Sequence, residues 1–221
     1  MSEPQDRLVG LYIKGAPHSA YRIHEDGCSK EGNGSLTPCC SKAAANVRTL
    51  LEGIRSSKKL AVRIDEIRSL TGEEAEDAKI ALPAFTPAGI FHGRRETDSP
   101  FRPAGIVSLD FDHLDDPAAF RDEAALIRPP DSRGKHILHA ASCTIAAFIT
   151  PSGNGVKILA HVSPLPRTPH EYKLAYAAAQ SVYADMGEPD VGDDVTRLCF
   201  MSYDPSERIN TKTWAIQWKG K

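Results

Sequence analysis

The stretch GIVSLDFDHLDD, Gly105 to Asp116, runs from apolar residues straight into Asp110, Asp112, Asp115 and Asp116. Its apolar half predicts a strand over 105–112. Residues two apart on a strand share a face, so Asp110 and Asp112 can hold one divalent cation between them. Asp115, Asp116 and Pro117 then open a predicted helix over 116–128. Further on come a strand at 144–150, the tight turn Ser152-Gly153-Asn154-Gly155, a strand at 155–162, a helix at 169–186 and a strand at 198–203. This β-α-β-β-α-β order is that of an RRM or ferredoxin-like sheet. In that topology the last strand lies on the first strand's free side. The tip of strand one, the turn between strands two and three, and the start of strand four then meet at one sheet end.

Upstream, LVGLYIK (8–14) reads as a strand and 41–57 as a helix with Ser41 as its cap. Two shorter helical pieces follow at 63–70 and 73–81, before Pro83 and Pro87 break the pattern. The fold expected is therefore α+β in a single domain over 1–221. It has an N-terminal αβ layer (1–104), a catalytic core (105–205) and a C-terminal tail (206–221). The double proline within 128–133 marks an exposed loop.

Composition bounds the function. The 221 residues are 41% hydrophobic and 25% charged, enough for a real core, and the formal charge of −2 means that any nucleic-acid contact must come from a local patch. The opening MSEPQDRLVG lacks a cationic, apolar leader, and no run approaches the roughly 18 apolar residues of a membrane span. A cytoplasmic protein is expected. Five cysteines fit reduced thiols better than a disulfide framework. His24, Cys28, Cys39 and Cys40 could just supply zinc, but they form no clean CxxC pair, and a polar insertion with incidental thiols is the expectation. Cys143 and Cys199 read as small core residues.

At the convergent sheet end, the SGNG turn offers backbone N–H groups to a phosphate, Lys157 adds a point charge, and Asp190, Asp193, Asp194 and Arg197 precede the last strand. Each motif alone has a plain reading: an acid-rich helix start, a hairpin turn, a solvated charge run. Their gathering at one edge suggests Mg²⁺ or Mn²⁺ held against a polyphosphate.

LDFDHLDD, ITPSGNGVKILAHV and PDVGDDVTRLCFMSYDP, with LPAFTPAGIFHGRRE upstream, together resemble the VirE N-terminal domain family, a branch of the archaeo-eukaryotic primase superfamily, over about Ile54 to Pro205. The resemblance implies a primase-polymerase of a replication or mobile-element system. Asp110, Asp112 and Asp190 would be its catalytic carboxylates, with Asp194 a second candidate for the third position. Ser152, Gly153, Asn154, Gly155, Lys157 and Arg197 would hold a dNTP or NTP. The superfamily more commonly has His where Lys157 stands. The chemistry implied is two-metal nucleotidyl transfer on a single-stranded DNA template and primer, with a helicase encoded nearby as a candidate partner. Arg94, Arg95 and Arg102 are candidates for template or primer phosphates. Phe91 and Phe101 could stack on bases, although core packing is the simpler reading. Two alternatives stay open: a non-catalytic single-stranded nucleic-acid-binding module, and a phosphatase of the haloacid dehalogenase type, which needs a crossover helix between parallel strands.

Overall fold

A computed structural model of the chain describes residues 7–12, 43–91, 95–126 and 140–219. The zinc candidates His24, Cys28, Cys39 and Cys40, the loop at 128–133 and Arg94 lie outside the described residues. The architecture is mixed α+β with largely antiparallel sheets. The N-terminal layer comprises β1 (Leu8–Tyr12), β2 (Ala43–Asn46), α1 (Val47–Ser56), α2 (Lys58–Ser69), α3 (Gly72–Ile80) and β3 (Ala84–Thr86). A hairpin of β4 (Gly89–Phe91) and β5 (Phe101–Pro103) leads into β6 (Ile106–Phe111), α4 (Pro117–Ala125), α5 (Ala140–Cys143), β7 (Thr144–Ile149), β8 (Val156–Ser163) and α6 (Pro169–Tyr183). Three short strands follow: β9 (Cys199–Phe200), β10 (Arg208–Ile209) and β11 (Ile216–Gln217).

In the central sheet β8 lies between β6 and β7, antiparallel to both; β10 extends the β7 side, and β11 runs parallel to the end of β8. Residues 206–221, expected as a tail, thus supply two strands to this sheet, and Trp218 is buried with its Nε1 donating to the Pro164 carbonyl at 2.7 Å. The alternation of β6 and β8 sorts side chains onto two faces. Val107, Leu109 and Phe111, with Val156, Ile158 and Ala160, pack against Tyr172, Ala175, Tyr176 and Ala179 of α6. On the opposite face Ile106 and Leu159 join Leu51, Ile54, Ile64 and Phe85 of the N-terminal layer. Asp110 and Lys157 share this second face by the same two-residue period.

Two expectations are corrected. Residues 43–46 are a strand, paired antiparallel with β1 from Leu8↔Asn46 to Leu11↔Ala43, and the helix begins only at Val47 under an Asn46 cap whose side chain accepts from the Arg48 amide. Alanine favours helix locally, but here the open edge of β1 recruits the segment. The second correction is topological. Of 198–203 only Cys199–Phe200 is strand, and it pairs with β3 (Ala84↔Phe200, Phe85↔Cys199), so the ferredoxin-like fourth strand beside β6 does not form. Burial of Phe85 and Cys199 in one core, together with the Met201 amide donating to the Pro83 carbonyl at 2.7 Å, holds it in the other sheet. The backbone of the segment before it reaches β6 through the Asp190 amide, which donates to the Asp110 carbonyl at 2.8 Å.

Candidate functional site

The three expected segments still converge, with the N-terminal layer as a fourth wall. A cleft of about 340 Å³ is lined by Lys79, Arg95, Asp110, Asp112, Thr150, Pro151, Ser152, Lys157, Arg197, Leu198 and Phe200. Its floor follows from strand register. Asp110 and Lys157 are directly opposed on β6 and β8, and the Lys157 ammonium donates to Asp110 Oδ2. Arg197 Nη2 stands 3.6 Å from the same oxygen. Asp110 Oδ1 is buried with no hydrogen-bond partner. Such an orphaned anionic acceptor is costly in a finished core and ordinary in a site that awaits a ligand.

Asp112 lies just past the end of β6, across Gly155. A Cβ at Gly155 would overlap Asp112 Oδ1 and come within 2.7 Å of the Phe111 carbonyl oxygen and 3.1 Å of Thr150 Oγ1. Glycine at 155 is thus a condition for Asp112 being where it is. Burial first, then repulsion from Asp110 and Asp190, raises the Asp112 carboxyl above its ordinary range, partly offset by Lys157 and Lys79.

The turn is built from its own polar groups. Thr150 Oγ1 and Ser152 Oγ share a hydrogen bond of 3.0 Å, and Ser152 Oγ donates to Asn154 Oδ1 at 2.6 Å. Gly153 has φ +85° and spends its amide on the Thr150 carbonyl. That amide is therefore committed within the turn, whereas Ser152 faces the cleft. Arg68 of α2 grips the turn from behind, donating to the Pro151 and Thr150 carbonyls at 3.3 Å each.

The two candidates for a third carboxylate part ways. Asp190 is pinned by its backbone: its amide bonds Asp110, and its carbonyl accepts from Tyr176 Oη at 2.7 Å. Its side chain is exposed and close enough to raise Asp112. Asp194 instead spends its carboxylate on Thr196, accepting from the amide at 2.8 Å and from Oγ1 at 2.7 Å. The nearby Arg197 guanidinium goes to Asp110 and the Val191 carbonyl. Arg95 reaches the cleft and bonds the Thr196 carbonyl, while Arg102 is exposed on β5 and does not line it. Phe91 and Phe101 stack on each other, centroids 5.4 Å apart, against the core. Cys143 and Cys199 are buried free thiols, their pKa values pushed up by burial to about 11 and about 12.

Lys79, Leu198, Phe200 and Arg68 were not singled out from the sequence. Lys79 looks there like any basic residue in the last turn of a helix. The apolar pair looks like ordinary strand. In the cleft, four cations stand against two carboxylates, so the wall as a whole suits an anion.

Among the described residues no three His, Cys, Asp or Glu side chains are grouped to hold a metal ion. The donor set on offer is Asp110 and Asp112, with one orphaned oxygen. Mg²⁺ is commonly bound through one or two carboxylates, with water and substrate phosphate completing the shell. The residues fit a cation that arrives with a phosphate ligand.

The family model for "BT4734-like, N-terminal domain" matches residues 77–207, more than half of the chain and all of the cleft except Arg68 behind it. The chain belongs to this family. That match replaces the resemblance to the VirE N-terminal domain and primase superfamily, which rested on short motifs. No curated protein and no solved structure matches the chain. Among the described residues no helix is long and apolar enough to cross a membrane.

Proposed function

We propose that this BT4734-like domain is a metal-dependent nucleotidyltransferase, which takes a dNTP or NTP in the cleft and joins it to a nucleic-acid primer on a single-stranded template. The observation that carries the reading is the buried, unpartnered Asp110 Oδ1 beside Asp112, in a cleft whose other charged side chains are cations. A purely anion-binding site would not need the carboxylates.

Asp110 and Asp112 would hold Mg²⁺ or Mn²⁺, which when bound supplies charge neutralisation at the reacting phosphate. The chain's own cations do the rest. Lys157 and Arg197 hold the Asp110 carboxylate in place. Lys79 and Arg95 face the triphosphate and the departing pyrophosphate, where preorganised charge contributes most. Ser152 at the rim would donate to a phosphate oxygen once its hydroxyl proton turns from Asn154 Oδ1. Asp190, close enough to act on Asp112 through its charge, adds negative potential that favours a cation at the pair.

The other readings have less support. Phe91 and Phe101 are turned into the core, so the exposed aromatic pair that a binding-only module would use is missing at those positions. Antiparallel pairing of β7 with β8 leaves no parallel crossover between them, which the phosphatase reading requires.

The test is incorporation of labelled nucleotide on a single-stranded template, with and without primer, in Mg²⁺ or Mn²⁺. Wild type should incorporate; Asp110→Asn and Asp112→Asn should each lose activity at least about a hundredfold while remaining folded. Near-normal turnover in either variant would sink the reading.

A further inference from the structure

The cleft has two unlike sides. Charged side chains from β6, β8, α3, Arg95 and Arg197 line most of it, and an apolar patch comes from Leu198 and the adjoining Phe200 of β9. Cys199 is 1% exposed in the core, and its neighbours Leu198 and Phe200 both line the cleft half-buried, the Phe200 ring resting partly on that same core. Arg197, whose guanidinium reaches Asp110, comes immediately before this apolar pair. A bare phosphate or a hydrated cation gains nothing from an aromatic ring. A molecule with phosphates at one end and a flat apolar face at the other uses both sides at once.

Resting on the nucleotide reading above, we propose that Phe200, supported by Leu198, is the stacking wall for the nucleobase, and so distinguishes a nucleotide from a bare polyphosphate. Every base has a π-face, so a wall of this kind accepts purines and pyrimidines alike. It sets how tightly a nucleotide binds and leaves base choice to whatever strand lies in the cleft.

The experiment is calorimetric titration, at fixed Mn²⁺, of ATP, CTP and inorganic tripolyphosphate into the full chain. Wild type should bind both nucleotides about tenfold more tightly than tripolyphosphate. Phe200→Ala should bring them to within about twofold of tripolyphosphate, whose own affinity stays put, and Phe200→Trp should restore the gap. If circular dichroism shows Phe200→Ala unfolded, Leu198→Ser at the half-buried neighbour replaces it and should narrow the gap in the same way. A wild type that binds tripolyphosphate and nucleotides equally would overturn the stacking wall and leave the phosphate site standing. Equal weakening of all three ligands by a folded Phe200→Ala would make the ring structural and also overturn it. No binding of any of the three to wild type would overturn the nucleotide reading itself.

Discussion

Among the described residues an acid–base pair in the core and another at the floor of the cleft are built to opposite specifications. In the core, Arg121 of α4 donates through Nη1 to both oxygens of Asp204, at 2.9 and 3.1 Å, and the same carboxylate accepts from the Ile149 amide at 3.0 Å and the Ser206 amide at 3.0 Å. Both partners are at most 5% exposed, and each Asp204 oxygen has its donors. In the cleft, Asp110 receives Lys157 on one oxygen and has nothing on the other. A buried charge is tolerated when its hydrogen-bonding capacity is filled. The core pair is complete without help. The cleft pair keeps an oxygen without a donor in a cleft shared with Asp112 and four cations, and that combination separates a candidate site from a structural ion pair.

If that comparison holds, breaking the core pair should cost the most stability. Arg121→Leu leaves Asp204 buried and unpaired, and should lower the urea unfolding free energy by about 3–5 kcal/mol. Asp110→Asn, which keeps a hydrogen-bond acceptor for Lys157, should lose less than half as much. Similar losses from the two would erase the distinction.

Glu207 sharpens the comparison from a third direction, being a buried carboxyl with neither oxygen hydrogen-bonded, although Arg55 Nε stands 3.3 Å away, off the bonding direction. Burial, more than repulsion by Asp204 and Glu52, raises its pKa from 4.5 to about 8 against the pull of Arg55. Between those values the folded chain keeps a proton that the unfolded chain has released. Stability from this group is therefore full below about pH 4.5 and falls as pH rises through 8, by about 2–4 kcal/mol in all. Glu207→Gln should flatten that slope in denaturation curves taken between pH 5 and pH 8.5. An unchanged slope would show that the carboxyl is already ionised in the fold.

Gly155→Ala should cost about 1–3 kcal/mol through the overlap with Asp112, the Phe111 carbonyl and Thr150, and should weaken Mn²⁺ binding because Asp112 is displaced. A variant of normal Mn²⁺ affinity would remove Asp112 from the site. Smaller effects are expected from the third carboxylate. Asp190→Asn should weaken Mn²⁺ several-fold, about 1 kcal/mol, whereas Asp194→Asn, whose carboxylate is spent on Thr196, should stay within about twofold. The reverse order would exchange their roles.

What could be read from the sequence was what a short window contains. The alternation around Asp110, the SGNG turn and the helical spacing after Thr168 gave β6, β8 and α6 nearly to the residue. Residues 43–46 were misread because AAAN carries local helix propensity, while its pairing with β1 spans more than thirty residues of chain. The partner of β9 was misassigned for a related reason: a two-residue strand goes wherever its buried side chains are wanted, and Cys199 is wanted beside Phe85. In the cleft, Asp110, Asp112 and Lys157 could be found because they sit on regular strands at fixed period. Lys79 and Phe200 reach it from the other layer, and nothing in their neighbours announces that.

The most direct test of the open pair is Mn²⁺ binding followed by electron paramagnetic resonance, with and without a nucleoside triphosphate, in wild type, Asp110→Asn and Asp204→Asn. The account predicts one tight Mn²⁺ in wild type that tightens further with nucleotide and is lost in Asp110→Asn. Asp204→Asn, at a pH and temperature where it remains folded, should bind Mn²⁺ as wild type does. Equal Mn²⁺ binding by wild type and a folded Asp110→Asn would contradict it.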